Sequence, residues 1–217
     1  MDHADHKKYS RVPVQKNETV KKSIAFFDFD GTITTRDTLL EVIKYFKGSR
    51  SFYTGFFLNS PFLVAYKLNL IGNQQAKERI LRYFFGGMAT QDFQQRCDEF
   101  AENKIPSLLR KGAVEEMERL RKAGTELVIV SASAGNWIKK WTLTNGLSLI
   151  ATKLETKEDR LTGRIEGKNC YGQEKVRRIK EEYDLSGYEE ILCYGDSGGD
   201  RPMLALATQG FYKPFTT

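Results

Sequence analysis

Apolar positions along this chain change their period, and the changes mark how it is organised. Ile24-Ala-Phe-Phe27 is a continuous apolar run that ends on Asp28-Phe-Asp30 and turns at Gly31-Thr32. A short run of this kind, closed by a turn signal, predicts a strand buried on both faces. Helical spacing follows: Leu39, Leu40, Ile43 and Phe46 share one side of a helix over 38–46, stopped by Gly48. Pro61 after Asn59-Ser60 predicts a second helix start. Residues 74–85, 90–103 and 105–122 read as three more amphipathic helices. Strand signals return only at Glu126–Val130 and then alternate with helices. The expected order is a helix over 134–145, a strand over 147–152, a hairpin over 153–168 turning at Glu158-Asp159, and a helix over 173–183. A strand over 190–194, a helix over 201–207 and an edge strand over 209–213 complete it.

Strands alternating with helices predict a Rossmann-like α/β core, a parallel sheet covered on both faces, with one small β-hairpin. About seventy-five residues of mostly helix separate the first two strands, far more than the dozen or so that a parallel crossover needs. The surplus predicts an inserted helical cap. The expected boundaries are 22–35 and 110–217 for the core, 36–109 for the cap, and 1–21 for a polar, flexible arm.

Composition narrows the chemistry. The 217 residues suffice for one sizeable core with an insertion. A formal net charge of +6 suits an anionic substrate, nucleic acid or an anionic membrane surface without choosing among them. The first twenty residues lack the apolar core of a signal peptide. Cys97, Cys170 and Cys193 form neither a disulfide framework nor a zinc spacing, so a cytoplasmic setting is expected. Both histidines, His3 and His6, fall in the polar arm, which excludes histidine triads and histidine-ligated metals from the folded body. Carboxylates, lysine, hydroxyls and metal remain.

Four places at strand ends or helix starts carry such groups, where open α/β sheets bind ligands. Asp28 and Asp30 end the first strand; spaced by two along a strand, they leave on the same side, and two such carboxylates repel unless a cation joins them. Ser131 follows Leu-Val-Ile-Val and precedes a helix, so it suits phosphate binding or a plain N-cap, a role open equally to Ser133. Lys175 lies in the first turn of its helix, where a cation is disfavoured unless an anion faces it. Ile191-Leu-Cys-Tyr-Gly-Asp-Ser-Gly-Gly-Asp200 repeats the opening design, with Asp196 and Asp200 on a Gly-rich turn.

Together these motifs resemble the haloacid dehalogenase superfamily, in order: Asp28-Phe-Asp-Gly31-Thr32, Ser131, Lys175, and Gly195-Asp-Ser-Gly-Gly-Asp200. The helical cap is similar to that of the phosphoserine-phosphatase-like branch, and Cys170-Tyr-Gly-Gln-Glu-Lys175 is similar to phosphatidylglycerophosphatase C-type proteins. The resemblance implies Asp28 as nucleophile, forming an aspartyl-phosphate, and Asp30 as general acid and base. It implies Mg²⁺ held by Asp28, the Asp30 carbonyl and Asp196, with Ser131 and Lys175 on the phosphoryl oxygens and Asp200 in support. An aspartate at position 30 favours phosphoryl transfer over dehalogenation, since the superfamily's dehalogenases lack one there. One departure stands out: Gly199 occupies the place where phosphoserine phosphatases usually carry Asn, which puts strict phosphoserine specificity in doubt.

The implied function is a phosphatase for a small phosphorylated metabolite, phosphoserine-like, with Asp37 and Arg79 of the cap as candidates for holding the leaving group. A lipid phosphate at a membrane surface is the alternative substrate, and a binding protein without turnover is the alternative class. Nucleic acid is not expected, because the basic run Lys175-Val-Arg-Arg-Ile-Lys180 reads as a solvated helix face. The aromatic stretch 52–71 has the length of a membrane span, but Asn59, Pro61, Lys67 and Asn69 interrupt it. Its aromatics are expected to pack the cap and wall the site, with contact to a membrane surface left open.

Overall fold

A computed structural model describes residues 22–216, so the expected arm over 1–21 and both histidines lie outside the described residues. Strand β1 (Ser23–Phe27) leads into a tight loop, then helices α1 (Thr38–Leu58), α2 (Ser60–Lys67), α3 (Asn73–Phe85), α4 (Thr90–Asn103) and α5 (Lys111–Lys122). Next come β2 (Glu126–Ala134), α6 (Lys139–Thr144), β3 (Ser148–Thr152), and the hairpin β4 (Leu154–Lys157) and β5 (Arg160–Ile165). The chain closes with α7 (Gln173–Glu182), β6 (Glu190–Gly195), α8 (Arg201–Leu204) and β7 (Gln209–Tyr212).

The main sheet has the order β3-β2-β1-β6-β7, and every pairing in it is parallel. Strand β1 is central, pairing Phe26 with Val128 on one side and with Cys193 on the other. Alternate residues of β1 serve opposite faces. Ala25 and Phe27 join Ile129, Leu192 and Tyr194 in one apolar cluster, while Ile24 and Phe26 join Val128, Val130 and Cys193 in the other. This two-sided burial is why the run 24–27 carries no polar residue. The first cluster continues without a break into the inserted helices through Phe46, Ile80, Phe84 and Phe93.

The insertion leaves and rejoins the sheet through a narrow neck. Thr34 bridges Leu109 in antiparallel fashion; Thr35 N donates to Leu108 O at 2.8 Å and Arg110 N to Ile33 O at 2.8 Å. That neck corrects one expectation. Residues 105–122 are not a single helix, because Leu109 and Arg110 are extended to make these bonds, between a short turn at Ile105–Leu108 and α5. The helix expected over 134–145 is likewise shortened: β2 runs on to Ala134, a 3₁₀ turn takes Gly135–Trp137, and only Lys139–Thr144 is α-helical. Helix α8 stops at Leu204 rather than Ala207. Gly48, at φ 75° and ψ 164°, is non-helical and parts α1 into two helical halves, as the stop expected there requires. The hairpin, expected over 153–168, packs on α3, and Ala89 bridges Arg160.

The aromatic stretch divides. Phe52 is buried and Phe56 half-buried, as expected of cap packing, but Tyr53, Phe57, Leu58 and Val64 are exposed and α2 buries none of its residues. Among the described residues no helix is long and apolar enough to cross a membrane.

Candidate active site

The C-terminal ends of β1, β2 and β6 and the start of α7 meet at the floor of a cavity of about 520 Å³. At its centre the Lys175 ammonium, 1% exposed, donates to Asp28 Oδ1 at 2.5 Å, Asp200 Oδ1 at 2.7 Å and the Val130 carbonyl at 2.8 Å. All three of its protons are thereby engaged, which answers the expectation that an anion must face this lysine. Burial pushes the Asp28 carboxyl up to about 7, against the pull of Lys175. Burial also opposes the charge on Lys175, but the two carboxylates hold it above the usual lysine range. Asp200 is buried too, yet Lys175 and Ser197 hold it below the usual carboxylate range.

Asp200 is a clamp. Its Oδ2 accepts from Ser197 N at 2.9 Å and Ser197 Oγ at 2.7 Å, which sets the Gly-rich turn after β6. The same turn carries Asp196, raised by burial and by Asp200, whose Oδ1 accepts from Thr32 Oγ1 at 3.4 Å. Thr32 also donates to Asp28 Oδ2 at 3.0 Å. Between them lies Gly31 at φ 83°, where a Cβ would stand 2.3 Å from an Asp196 oxygen. Only glycine fits there.

Asp30 reaches the cavity from this turn and not from the strand, which ends at Phe27, so the expected period-two argument is replaced by the Gly31 turn. Its carboxylate accepts from Thr38 N, the first amide of α1, at 2.7 Å and from Ser133 Oγ at 2.5 Å. Behind Ser133 the chain of donors continues: Trp137 Nε1 to Thr38 Oγ1 at 3.0 Å, and Thr38 Oγ1 to Ser133 Oγ at 3.2 Å. Ser131 is fully buried, its Oγ accepting from Ser133 N at 3.0 Å. Ala132 and Ser133 border the cavity directly.

The opposite wall comes from the inserted helices. Asn73, Ala76, Lys77 and Ile80 face the cavity at i, i+3, i+4 and i+7 of α3. Leu39, Leu40, Phe56, Leu63 and Tyr66 supply an apolar side, and Asp37 stands at the start of α1. Lys77 donates to Ala132 O at 2.8 Å and Asn169 Oδ1 at 3.4 Å, and burial lowers its pKa while Asp30 and Asp37 oppose the shift. Arg79 points elsewhere: its Nε donates to Asn59 Oδ1 at 2.9 Å and its guanidinium lies 4.4 Å from the Phe62 ring. Of the two expected cap residues, then, Asp37 borders the cavity and Arg79 does not.

Three residues went unread in the sequence. Lys77 is a lysine on the inner stripe of an amphipathic helix, and that misplacement is the signal that could have found it. Arg110, inside a segment expected to be helical, donates from Nε to the carbonyls of Gly31 at 3.1 Å and Thr34 at 3.3 Å, holding the loop that carries Asp30. Tyr171 borders the cavity with its ring 2.1 Å from where a Cβ on Gly199 would sit. The ring occupies the space of the side chain that Gly199 lacks.

Asp28, Asp196 and Asp200 offer ligand oxygens within 4.8 Å of one another. Such an all-oxygen, hard donor set suits Mg²⁺. Asp28, Asp30, Asp37, Asp196 and Asp200 line the cavity against Arg36, Lys77 and Lys175, which leaves an excess of carboxylates for a cation to balance. Asp28 and Asp200 each have both oxygens accepting hydrogen bonds, whereas Asp196 accepts only the long bond from Thr32, so Asp196 is the freest of the three.

Residues 25–205 match the family model of the haloacid dehalogenase-like hydrolases. The protein CicA of Caulobacter vibrioides is 34% identical over 191 residues, covering 87% of this chain and 85% of CicA. A solved structure of a Bordetella pertussis Tohama I protein, described as of unknown function, superposes with a TM-score of 0.77 at 24% identity, over 88% of this chain and 89% of that one. A phosphoserine phosphatase, solved as a phospho-aspartyl intermediate analogue, superposes with a TM-score of 0.63 at 18% identity, over 88% and 85% of the two chains. Both likenesses concern the fold.

Proposed function

The chain belongs to the haloacid dehalogenase-like hydrolases, and from that premise we propose that it is a phosphatase acting on a phosphate monoester through an aspartyl-phosphate on Asp28, with Mg²⁺ as its cofactor. One observation carries the reading: the buried Lys175 joins Asp28 and Asp200 at the floor of a cavity that Asp30 also borders.

A carboxylate approaching a phosphate is anion meeting anion, so positive charge is needed at the junction. Bound by Asp28, Asp196 and the Asp30 carbonyl, Mg²⁺ would neutralise the approach and align the phosphate. Lys175 opposes the burial that disfavours the charged form of Asp28 and holds the carboxyl in place, and Thr32 fixes its second oxygen. An Asp28 oxygen bonds to phosphorus as the bond to the leaving oxygen breaks, and Asp30 gives that oxygen its proton. Asp30, now a carboxylate, takes a proton from water; the water oxygen attacks phosphorus, phosphate departs, and both aspartates return to their starting state. The Ala132-Ser133 turn borders the cavity where a phosphoryl group would lie, with Ser131 accepting from the Ser133 amide behind it.

The resemblance to phosphoserine phosphatases supports a small phosphorylated metabolite as substrate. The apolar wall of Leu39, Leu40, Phe56 and Leu63 supports a second reading, a leaving group with a hydrocarbon part.

Asp28→Asn should abolish turnover of p-nitrophenyl phosphate with the fold intact, and Asp30→Asn should lower it by about 10²–10⁴-fold. EDTA should remove activity, Mg²⁺ restore it, and Ca²⁺ inhibit, since its larger shell draws in extra ligands. Near wild-type turnover by Asp28→Asn, or full activity in excess chelator, would reject the mechanism. A protein that only binds its ligand would show no metal dependence at all.

A further inference from the structure

Eight of the thirteen large hydrophobic residues exposed among the described residues fall between Tyr53 and Leu70. Phe57 is 77% exposed, Leu70 73%, Tyr53 67% and Leu68 64%. Two packing facts make this more than scattered surface. Helix α2, Ser-Pro-Phe-Leu-Val-Ala-Tyr-Lys, buries none of its residues although six of the eight are apolar, aromatic or proline. In the second half of α1, Arg50, Tyr53 and Phe57 lie at i, i+3 and i+7, so one outward stripe carries a cation and two aromatics. A helix apolar on its outer side lacks a partner.

Charge selects the partner. No acidic residue occurs from Val42 through Lys77, whereas Lys44, Lys47, Arg50, Lys67 and Lys77 do. Lys44 pairs with Glu41, and Lys77 faces the cavity. Lys47 packs against Met88 and the Phe85 ring, which leaves Arg50 and Lys67 as the exposed cations of a stretch that offers no compensating carboxylate. Aromatic and aliphatic side chains rimmed by cations match an anionic lipid surface, where hydrocarbon takes up the apolar side chains and headgroups attract the cations. Position adds a third argument. Phe56, Leu63 and Tyr66, which wall the cavity, alternate along the same helices with the exposed Phe57, Phe62 and Val64.

We propose that the outer face of α1 and α2 docks on an anionic lipid surface, and that the cavity beside it takes a phosphate monoester with a hydrocarbon tail drawn from that surface. The second half of this proposal rests on the phosphatase reading; the first does not. Docked on this face, the molecule has a cavity whose apolar wall continues into the lipid.

Sedimentation with vesicles tests the docking without any use of activity. With vesicles of phosphatidylcholine and phosphatidylglycerol at physiological salt, most of the protein should pellet; with phosphatidylcholine alone most should stay in the supernatant. Phe57→Ser/Leu68→Ser/Leu70→Ser should weaken partition by about tenfold or more, while hydrolysis of soluble p-nitrophenyl phosphate is unchanged, which also shows the variant to be folded. Wild type left in the supernatant, equal binding to both vesicle types, or undiminished binding by the triple variant would each overturn the docking. So would light scattering that shows a dimer in the wild type, lost in the triple variant, with no vesicle binding: the face would then belong to a second copy. Asp28→Asn should bind vesicles like the wild type. For the substrate, phosphatidic acid in such vesicles should be hydrolysed by the wild type and, about tenfold or more slowly, by the triple variant. Hydrolysis of p-nitrophenyl phosphate without hydrolysis of phosphatidic acid by vesicle-bound protein would overturn the tailed substrate and leave the phosphatase reading standing.

Discussion

Single residues account for most of the site, and Gly199 shows how. Its Cβ position lies 2.1 Å from the Tyr171 ring, so any side chain there must move the tyrosine. Tyr171 is 43% exposed and sits at a cavity edge, which gives the ring room to swing out. Gly199→Asn should therefore fold but raise KM for p-nitrophenyl phosphate several-fold, by about 1 kcal/mol of rearranged packing. Adding Tyr171→Ala should recover most of the loss; a double variant no better than the single one would show that the two residues do not share this space. The first and last motifs were legible in the sequence because each is an apolar strand followed by aspartates on a glycine turn, whereas Ser131 and Lys175 stood out only through the resemblance. Lys77 and Tyr171 went unread. Each belongs to the cavity only through the docking of an inserted helix or loop; the one local signal is the place of Lys77 on the inner stripe of α3, between Ala76 and Ile80.

At the scale of elements, α7 carries an ion cluster that the sequence disguised. The basic run 175–180 reads as a free cationic face, but Lys175 is in the site and both arginines are committed. Arg177 pairs with Glu174 at 2.5 Å and also with Glu181, and Arg178 reaches Glu174 at 2.9 Å and the carbonyls of Ala151 and Lys168. The cluster ties α7 to the end of β3. Bonds from Arg177, then from Arg178, hold the Glu174 carboxyl down to about 2, against its burial. A carboxyl depressed in the folded state adds stability above its unfolded value near 4.5, and that contribution is lost as pH falls toward 2. Glu174→Gln should accordingly lower Tm at neutral pH, and the gap from wild type should narrow as pH falls from about 4.5 to about 2. A gap independent of pH would assign the effect to packing instead. Element types were read correctly over 90–103 and 173–183, where no strand pairing competes with the helical pattern. They failed over 105–122 and 134–145, where pairing across the neck and extension of β2 overrode helical patterns.

For the molecule as a whole, the inserted helices and the sheet share one apolar cluster, yet covalently they meet only at the neck of Thr34–Thr35 and Leu108–Arg110. Across that joint runs the donor chain from Trp137 through Thr38 and Ser133 to Asp30. Thr38→Val keeps the shape and removes the hydroxyl, leaving the buried Trp137 N–H without its acceptor. Urea unfolding should show a loss of about 1–3 kcal/mol, and kcat should fall more than KM rises, because Asp30 loses its alignment. Unchanged stability together with unchanged kcat would show the chain of hydroxyls to be idle.

That joint has a consequence for the order of events in a turnover. Two of the groups that position Asp30, the amide and the hydroxyl relay of Thr38, belong to the inserted helix, while Asp28 is held wholly from the sheet side by Lys175 and Thr32. Were the helices to swing outward, Asp28, the proposed nucleophile, would stay set and Asp30, the proposed proton carrier, would be released. On the proposed mechanism the arrangement would act as an interlock: a gaping enzyme could hold a phosphorylated Asp28 but not discharge it, so the lifetime of that species would become a clock started by each closing.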